Sequence, residues 1–165
     1  MTLQKCFLLL VVGLTTLQSC AQRGTSAYLN DFPEVITEPG AYNELSPEDA
    51  CIILDKGTEW AYTGAFHDSK EAGTYLCKQC NLPLYHSGAK FNSGTGWPSF
   101  DEDIRGSVAQ VLDQDGRRTE IICSNCHGHL GHVFFGEGFT DKQTRHCVNS
   151  ASLQFVPESS GEDQE

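Results

Sequence analysis

The sequence has few cationic side chains, with 11 Lys and Arg against 22 Asp and Glu and a formal net charge of −11. An acidic surface repels phosphate backbones, so the composition argues against a nucleic-acid partner and fits a soluble protein. Methionine occurs once, at Met1, which excludes no class of function. The N-terminal apolar run, residues 6–17, has 12 residues and is too short to span a bilayer as a helix. A chain of 165 residues fits one globular domain.

The first 20 residues have the pattern of an export signal. Lys5 precedes the apolar run, whose length suits a signal-peptide core. The following Leu17-Gln18-Ser19-Cys20 resembles a bacterial lipoprotein cleavage site. It predicts a signal peptide over residues 1–19, a lipid anchor on Cys20, and a bacterial cell-envelope lipoprotein facing the periplasm or the cell surface. Ordinary cleavage after Ala21 is the alternative.

Composition divides the rest of the chain into three parts. Residues 20–32 are polar and aperiodic, as expected of a tether. Residues 33–157 form the predicted folded domain, expected to be a monomer whose one membrane contact is the lipid anchor. Residues 158–165 (ESSGEDQE) are half acidic without apolar side chains, and they predict a disordered tail.

Local patterns predict a mainly β domain with one short N-terminal helix. Ser46 followed by Pro47 is typical of a helix start, and Gly57 is the expected end. Beyond it, frequent glycines and short apolar runs favour strands. Residues 107–112 and 117–123 flank a turn and predict a hairpin, and alternation over residues 145–155 predicts one strand with a buried face. Antiparallel β-sheets are therefore the expected architecture.

Two CxxC pairs predict a structural metal site. Each pair can aim two sulfurs at one point, and two pairs together supply the four thiolates of a tetrahedral zinc site. The two pairs are 42 residues apart and must therefore clamp distant parts of one domain. Two disulfides or an iron–sulfur cluster are the alternatives. Four sulfur ligands leave no open coordination position, so chemistry is expected elsewhere. The predicted ligands are Cys77, Cys80, Cys123 and Cys126.

Half of the 6 histidines lie within the segment HGHLGH after the second pair. His129 and His132 could face one pocket as proton donors near neutral pH. The alternatives are that a histidine replaces one cysteine ligand or that these are ordinary surface histidines, and the clustering of three histidines among glycines argues against the second.

Cys147 is the candidate nucleophile. Once the metal ligands and the cysteines of the export signal are set aside, only Cys51 and Cys147 remain. On a strand, Arg145, Cys147 and Asn149 share a face, where Arg145 would favour the reactive thiolate and Asn149 could donate a hydrogen bond. A buried structural cysteine is the alternative. In the loop GTGWPSF, Pro98 would fix Trp97 as a wall for a methyl–sulfur group, although tryptophan is also a common core residue.

Taken in order, CxxC, GTGWPSF, CxxC with HGHLGHVF, and RHCVNS resemble the methionine sulfoxide reductase B family from about Leu45 to Val156. The resemblance implies two antiparallel sheets, a structural zinc, and reduction of methionine R-sulfoxide in proteins with Cys147 as nucleophile. It also implies that Trp97 contacts the substrate methyl. The pocket would be lined by His129, His132, Arg145 and Asn149.

The resemblance also implies a mechanism. The Cys147 thiolate attacks the sulfoxide sulfur, His132 protonates the oxygen, and the resulting sulfenic acid is reduced by a second thiol. Many family members carry a resolving cysteine where Thr95 stands, which leaves Cys51 or an external thioredoxin-like reductant. Many also have an aspartate shortly after HVF, where this chain has Glu137 nearby. A non-catalytic zinc-ribbon binding module is the competing function, and the closed metal site argues against a zinc hydrolase.

Overall fold

The computed structural model describes residues 32–159. The predicted signal peptide, the tether up to residue 31 and the tail from residue 160 lie outside the described residues. Within the described part, no helix is long and apolar enough to cross a membrane.

The described residues form a mainly β fold with one α-helix, α1 (Pro47–Ile53). Short 3-10 helices cover Pro39–Ala41, Ser87–Ala89 and Ser150–Ser152. The strands are β1 (Gly73–Cys77), β2 (Pro83–His86), β3 (Lys90–Phe91), β4 (Ser99–Phe100), β5 (Val108–Leu112), β6 (Thr119–Cys123), β7 (His129–Phe135), β8 (Thr144–Val148) and β9 (Leu153–Pro157).

Two antiparallel sheets account for all nine strands, which confirms the predicted fold class. One sheet has the order β2-β1-β9 and the other has the order β3-β4-β8-β7-β6-β5. The apolar core is made of buried side chains from both sheets, with Tyr85 and Phe100 stacked at 4.2 Å between ring centroids. Because β8 lies between β4 and β7, His146 and Cys147 have paired neighbours on both sides.

The helix begins as the sequence predicts but ends differently. The Ser46 side chain accepts a hydrogen bond from the Asp49 amide at 3.1 Å, and Pro47 is the first helical residue. The last helical residue is Ile53, and beyond it Lys56, rather than the predicted Gly57, adopts a left-handed backbone conformation, with φ 59°. Gly57 matters for a different reason, because a Cβ there would lie 2.8 Å from the Cys51 carbonyl oxygen.

The predicted hairpin is confirmed, whereas the predicted strand over residues 145–155 is wrong. Strands β5 and β6 pair in register from Val108 opposite Cys123 to Leu112 opposite Thr119. The chain after β8 instead turns through the 3-10 helix Ser150–Ser152 and enters the other sheet as β9. The alternation of residue types runs unbroken across the break, although β8 buries residues on both of its faces, including Arg145 and His146, so periodicity could not reveal the change of sheet.

Candidate active site and metal centre

The four CxxC cysteines form one cluster with the dimensions of a metal site. Their sulfurs all lie within 4.8 Å of one another, with Cys77 3.5 Å from Cys126 and Cys80 3.6 Å from Cys123. Four sulfurs bound at about 2.3 Å to one tetrahedral ion stand about 3.8 Å apart, whereas a disulfide needs about 2.05 Å. The residues therefore fit a metal ion held between the two pairs.

The two CxxC turns have the same backbone design. Asn81 and His127, the residues after each pair, both adopt left-handed conformations, with φ 64° and 61°. Each donates its amide hydrogen to the carbonyl of the first cysteine of its pair at 2.9 Å. The repeated local geometry explains why spacing alone was enough to predict the site.

An N-terminal segment closes over both turns. The Ile36 amide donates to the Cys80 carbonyl at 2.9 Å, and the Asn125 side chain donates to the Ile36 carbonyl at 2.8 Å. Asn43 donates to the carbonyl of Lys78 at 2.8 Å. The segment thus links the two halves of the cluster, which come from β1 and β6.

Cys147 lies away from the cluster, on β8, where it lines an open cavity of about 140 Å³. Its neighbour across the pairing with β7 is His132, and its neighbour across the pairing with β4 is Ser99. The half-buried Trp97 and the side chain of Phe134 also line the cavity. The site therefore combines a thiol, an imidazole and an aromatic wall.

Burial is the main influence on the Cys147 thiol and raises its pKa. The positive charge of Arg145 and hydrogen bonds from Arg145 and Thr95 lower the pKa without overcoming the effect of burial. The expectation that Arg145 favours the thiolate is correct in direction, but the net shift favours the thiol because desolvation penalises the charged form.

The approach of His132 to Cys147 depends on Gly131. A Cβ at Gly131 would overlap the Cys147 carbonyl oxygen, so no other residue lets β7 and β8 come this close. His132 Nε2 is 2.7 Å from an Asp113 carboxylate oxygen, and the hydrogen bond lowers the pKa of Asp113. Asp113 in turn pairs with Arg118 at 2.8 Å, and Arg118 lines the cavity.

His129 lies behind His132 and does not line the cavity. A bulge in the pairing of β6 and β7 inserts Leu130, so both imidazoles share one face, with centroids 5.6 Å apart. His129 is 3% exposed, and burial lowers its pKa despite a 2.8 Å contact between Nδ1 and Glu120. Lys56 also binds Glu120 at 2.8 Å, so the buried carboxylate has two partners.

Arg145 is held by Glu137, the acid that follows HVF in this chain. Two hydrogen bonds join the guanidinium to the carboxylate, at 2.7 and 3.0 Å, and lower the pKa of Glu137. The guanidinium carbon lies 4.4 Å from the centre of the Phe134 ring. Arg145 is thus fixed beside Cys147 by a bidentate pair and an aromatic face.

Asn149 and Trp97 are both tied to one loop residue, Glu59. The Asn149 side chain accepts from the Glu59 amide at 3.1 Å and donates to the Leu130 carbonyl at 3.1 Å. The Trp97 indole donates to the Glu59 carbonyl at 3.1 Å, and the Glu59 carboxylate accepts from the amides of Ser150 and Ala151. Asn149 therefore lines the cavity with its side chain already engaged.

The structure brings four of the sequence-predicted residues to the cavity: Trp97, His132, Cys147 and Asn149. Arg145 and His129 lie behind it, and Cys51 is exposed on α1. Sequence reasoning missed the carboxylates that hold these side chains, namely Glu59, Asp113 and Glu120. In the sequence these three residues are marked only by being acidic. The chain has 22 Asp and Glu, so 19 other residues share that property and no sequence pattern distinguishes the three.

The fold and site define a β protein with a four-cysteine metal centre and a separate thiol site. Residues 45–157 match the SelR domain family. The chain is 54% identical over 117 residues to peptide methionine sulfoxide reductase B3 of Arabidopsis thaliana, covering 70% of this chain and 66% of the relative. It is 52% identical over 116 residues to peptide methionine sulfoxide reductase B5 of Oryza sativa, covering 70% of this chain and 85% of the relative. The chain belongs to this family, the methionine sulfoxide reductases of the B type.

Coverage differs among the relatives. The match to the chloroplastic B3 protein of Oryza sativa is 54% identical and spans 51% of that relative and 70% of this chain. The chain therefore spans less than two thirds of the length of several relatives. A solved structure of the Mis18 "Yippee-like" domain aligns with a TM-score of 0.42 and 17% identity over 54% of this chain and 99% of that chain, which is too distant to inform the site.

The predicted location in a bacterial cell envelope is wrong. The relatives at 52–54% identity described above are proteins of rice and Arabidopsis, and chloroplastic proteins of both plants are among the matches. The N-terminal pattern that predicted a signal peptide and a lipid anchor lies outside the described residues and has no support among these relatives. A short apolar run before a small residue and a cysteine is too unspecific to fix a compartment.

Proposed function

We propose that this chain reduces methionine R-sulfoxide in oxidised proteins to methionine, with Cys147 as the nucleophile. The observation that carries the proposal is the position of Cys147, directly opposite His132 in a cavity walled by Trp97 and apart from the four-cysteine cluster. Family membership supports reductase chemistry on methionine sulfoxide.

The chemistry follows from the groups around the cavity. The Cys147 sulfur attacks the sulfoxide sulfur, and the thiol proton reaches the oxygen by way of His132. The hydroxyl group then moves from the substrate sulfur to the Cys147 sulfur as the sulfur–sulfur bond breaks, which gives methionine and the Cys147 sulfenic acid. One thiol and one sulfoxide thus give one sulfenic acid and one thioether. The indole of Trp97 supplies an apolar wall for the methyl group, and Arg145 stabilises the thiolate as it forms.

The metal would be zinc, held by Cys77, Cys80, Cys123 and Cys126. Soft thiolate ligands favour zinc, and four of them complete its coordination. Its contribution is then structural, because it joins the two sheets through β1 and β6 and leaves no position for substrate.

Regeneration of Cys147 needs a second thiol. Thr95 beside Cys147 cannot form a disulfide, so we infer that a thioredoxin-like protein or a small thiol reduces the sulfenic acid directly. Cys51 is exposed on α1 and does not line the cavity with Cys147, so its role as a resolving cysteine stays a hypothesis.

The test is an assay of free and peptide-bound methionine sulfoxide, with the R and S epimers offered separately and dithiothreitol as reductant. Reduction of the R epimer alone, lost in Cys147→Ser, is the expected result. Reduction of neither epimer by the wild-type protein would contradict the proposed function.

A further inference from the structure

We propose that Asp113 is the positioning residue of His132, an inference that rests on the proposed function. The geometry points to it because Asp113 Oδ2 lies 2.7 Å from His132 Nε2, and the two side chains are only 15% and 12% exposed. His132 is paired directly opposite Cys147, so a change in the orientation of its ring changes how it faces the reacting sulfur.

The hydrogen bond also fixes which ring nitrogen carries a proton. The pKa of Asp113 is lowered, so its carboxylate is ionised and can only accept. Nε2 must therefore be the donor, which leaves Nδ1 as the ring nitrogen that exchanges a proton with the substrate oxygen. During that exchange the ring passes through its charged form, which a carboxylate on the opposite nitrogen stabilises.

The proton balance of the step is complete without an added reactant. The thiol proton of Cys147 moves to Nδ1, a bond forms between the Cys147 sulfur and the substrate sulfur, and Nδ1 returns the proton to the oxygen. The hydroxyl group so formed then moves from the substrate sulfur to the Cys147 sulfur as the sulfur–sulfur bond breaks, which yields methionine and the Cys147 sulfenic acid. Nε2 keeps its hydrogen bond to Asp113 throughout.

A tight turn holds Asp113 in this position. The Asp113 amide donates to the Arg118 carbonyl at 3.0 Å, and its carbonyl accepts from the Gly116 amide at 2.9 Å. Arg118 binds Asp113 at 2.8 Å and Asp115 at 2.6 Å. The carboxylate of Asp113 is thus fixed on two sides before any substrate enters.

Charged or titratable side chains face His132 from each element packed against it. The turn supplies Asp113 and Arg118, β6 supplies Glu120, β7 itself supplies His129, and β8 supplies Cys147. Among the described residues, Asp113 is the one hydrogen-bonded to His132, because Glu120 is bound to Lys56 and His129.

Asp115 offers a matched control within the same turn. It also binds Arg118, but its side chain is 35% exposed and forms no hydrogen bond with His132. Its Oδ1 accepts from the Arg117 and Arg118 amides, and the side-chain oxygen of an asparagine can accept both of these bonds in its place. Comparing Asp113→Asn with Asp115→Asn therefore separates the bond to the imidazole from the general effect of removing an acid beside Arg118.

The experiment uses the full chain with bound zinc, with dithiothreitol and methionine R-sulfoxide in steady state, and 15N-labelled histidine for NMR. In Asp113→Asn we expect kcat to fall by roughly 10²-fold with little change in KM. The His132 nitrogen signals should lose the pattern of an Nε2–H tautomer. Asp113→Glu should restore part of the rate, and Asp115→Asn should resemble the wild type in all readouts.

Two results would overturn the inference while leaving the proposed function intact. One is an active wild type whose Asp113→Asn variant keeps its kcat and its His132 tautomer signals. The other is an equal loss in Asp115→Asn, which would assign the effect to Arg118. A wild type that reduces no sulfoxide would instead contradict the proposed function, and the NMR tautomer would still report on Asp113.

Discussion

The metal cluster takes its sulfurs from two turns of the same local geometry, whereas the cavity around Cys147 takes its side chains from strands, loops and turns far apart in the chain. In the cluster, each pair is set by hydrogen bonds within five residues. At the cavity, Glu59 reaches Ser150 and Trp97, which lie 91 and 38 positions away. One site is therefore encoded by spacing and the other by the whole fold.

The largest expected effect comes from breaking the cluster. Cys80→Ser should lose bound metal and much of its stability, because structural zinc contributes on the order of 10 kcal/mol to folding in small zinc peptides. Metal content by mass spectrometry and thermal unfolding measure both. Cys51→Ser, at an exposed free cysteine, should stay within about 0.5 kcal/mol of wild type. A Cys80→Ser protein with full stability would mean that the cluster holds no structural metal.

Cys147→Ser should separate the two sites. We expect the rate of methionine R-sulfoxide reduction to fall by at least about 10³-fold, because no other side chain that lines the cavity is a thiol that could attack in place of Cys147. Zinc content and the unfolding temperature should not change, since Cys147 lies outside the cluster. Loss of metal in this variant would contradict the division into two sites.

Glu59→Gln should have a moderate effect on stability. Its carboxylate accepts from the amides of Ser150 and Ala151 at 2.7 and 3.0 Å, and hydrogen bonds to a charged group contribute about 1.5–3 kcal/mol. Urea unfolding measures the change, and Glu71→Gln, an exposed acid on the same loop, is the control. Equal stability of the two variants would show that the Glu59 carboxylate does not hold the 3-10 helix that follows Cys147.

Arg145→Gln should have the smallest effect, a change in the titration of Cys147. Since the charge and contact of Arg145 lower the pKa of that thiol against the effect of burial, their removal should raise the pKa further. Thiolate then forms at higher pH, and the rise of activity with pH moves in the same direction. Thiolate absorbance and alkylation rates against pH measure it, with Arg117→Gln as control. An unchanged titration would mean that Arg145 has no electrostatic role at Cys147.

The difference between the sites also explains what could be predicted from sequence. The helix start at Ser46, the β5–β6 hairpin and both CxxC turns depend on neighbouring residues, and all were predicted. The break between β8 and β9 was missed because the alternation of residue types in the sequence continues through a change of sheet. The carboxylates of Asp113 and Glu120 were missed because β-sheet register, including the bulge at Leu130, decides which acid meets which histidine.

A single-turnover experiment without reductant tests the central claim most directly. Zinc-loaded protein is mixed with excess methionine R-sulfoxide, and methionine, bound zinc and the sulfenic acid trapped by dimedone are measured together. The two-site account predicts about one methionine per chain, with Cys147 labelled, the four cluster cysteines unmodified and zinc retained. Methionine formed with zinc release and modification at Cys77, Cys80, Cys123 or Cys126 would contradict it.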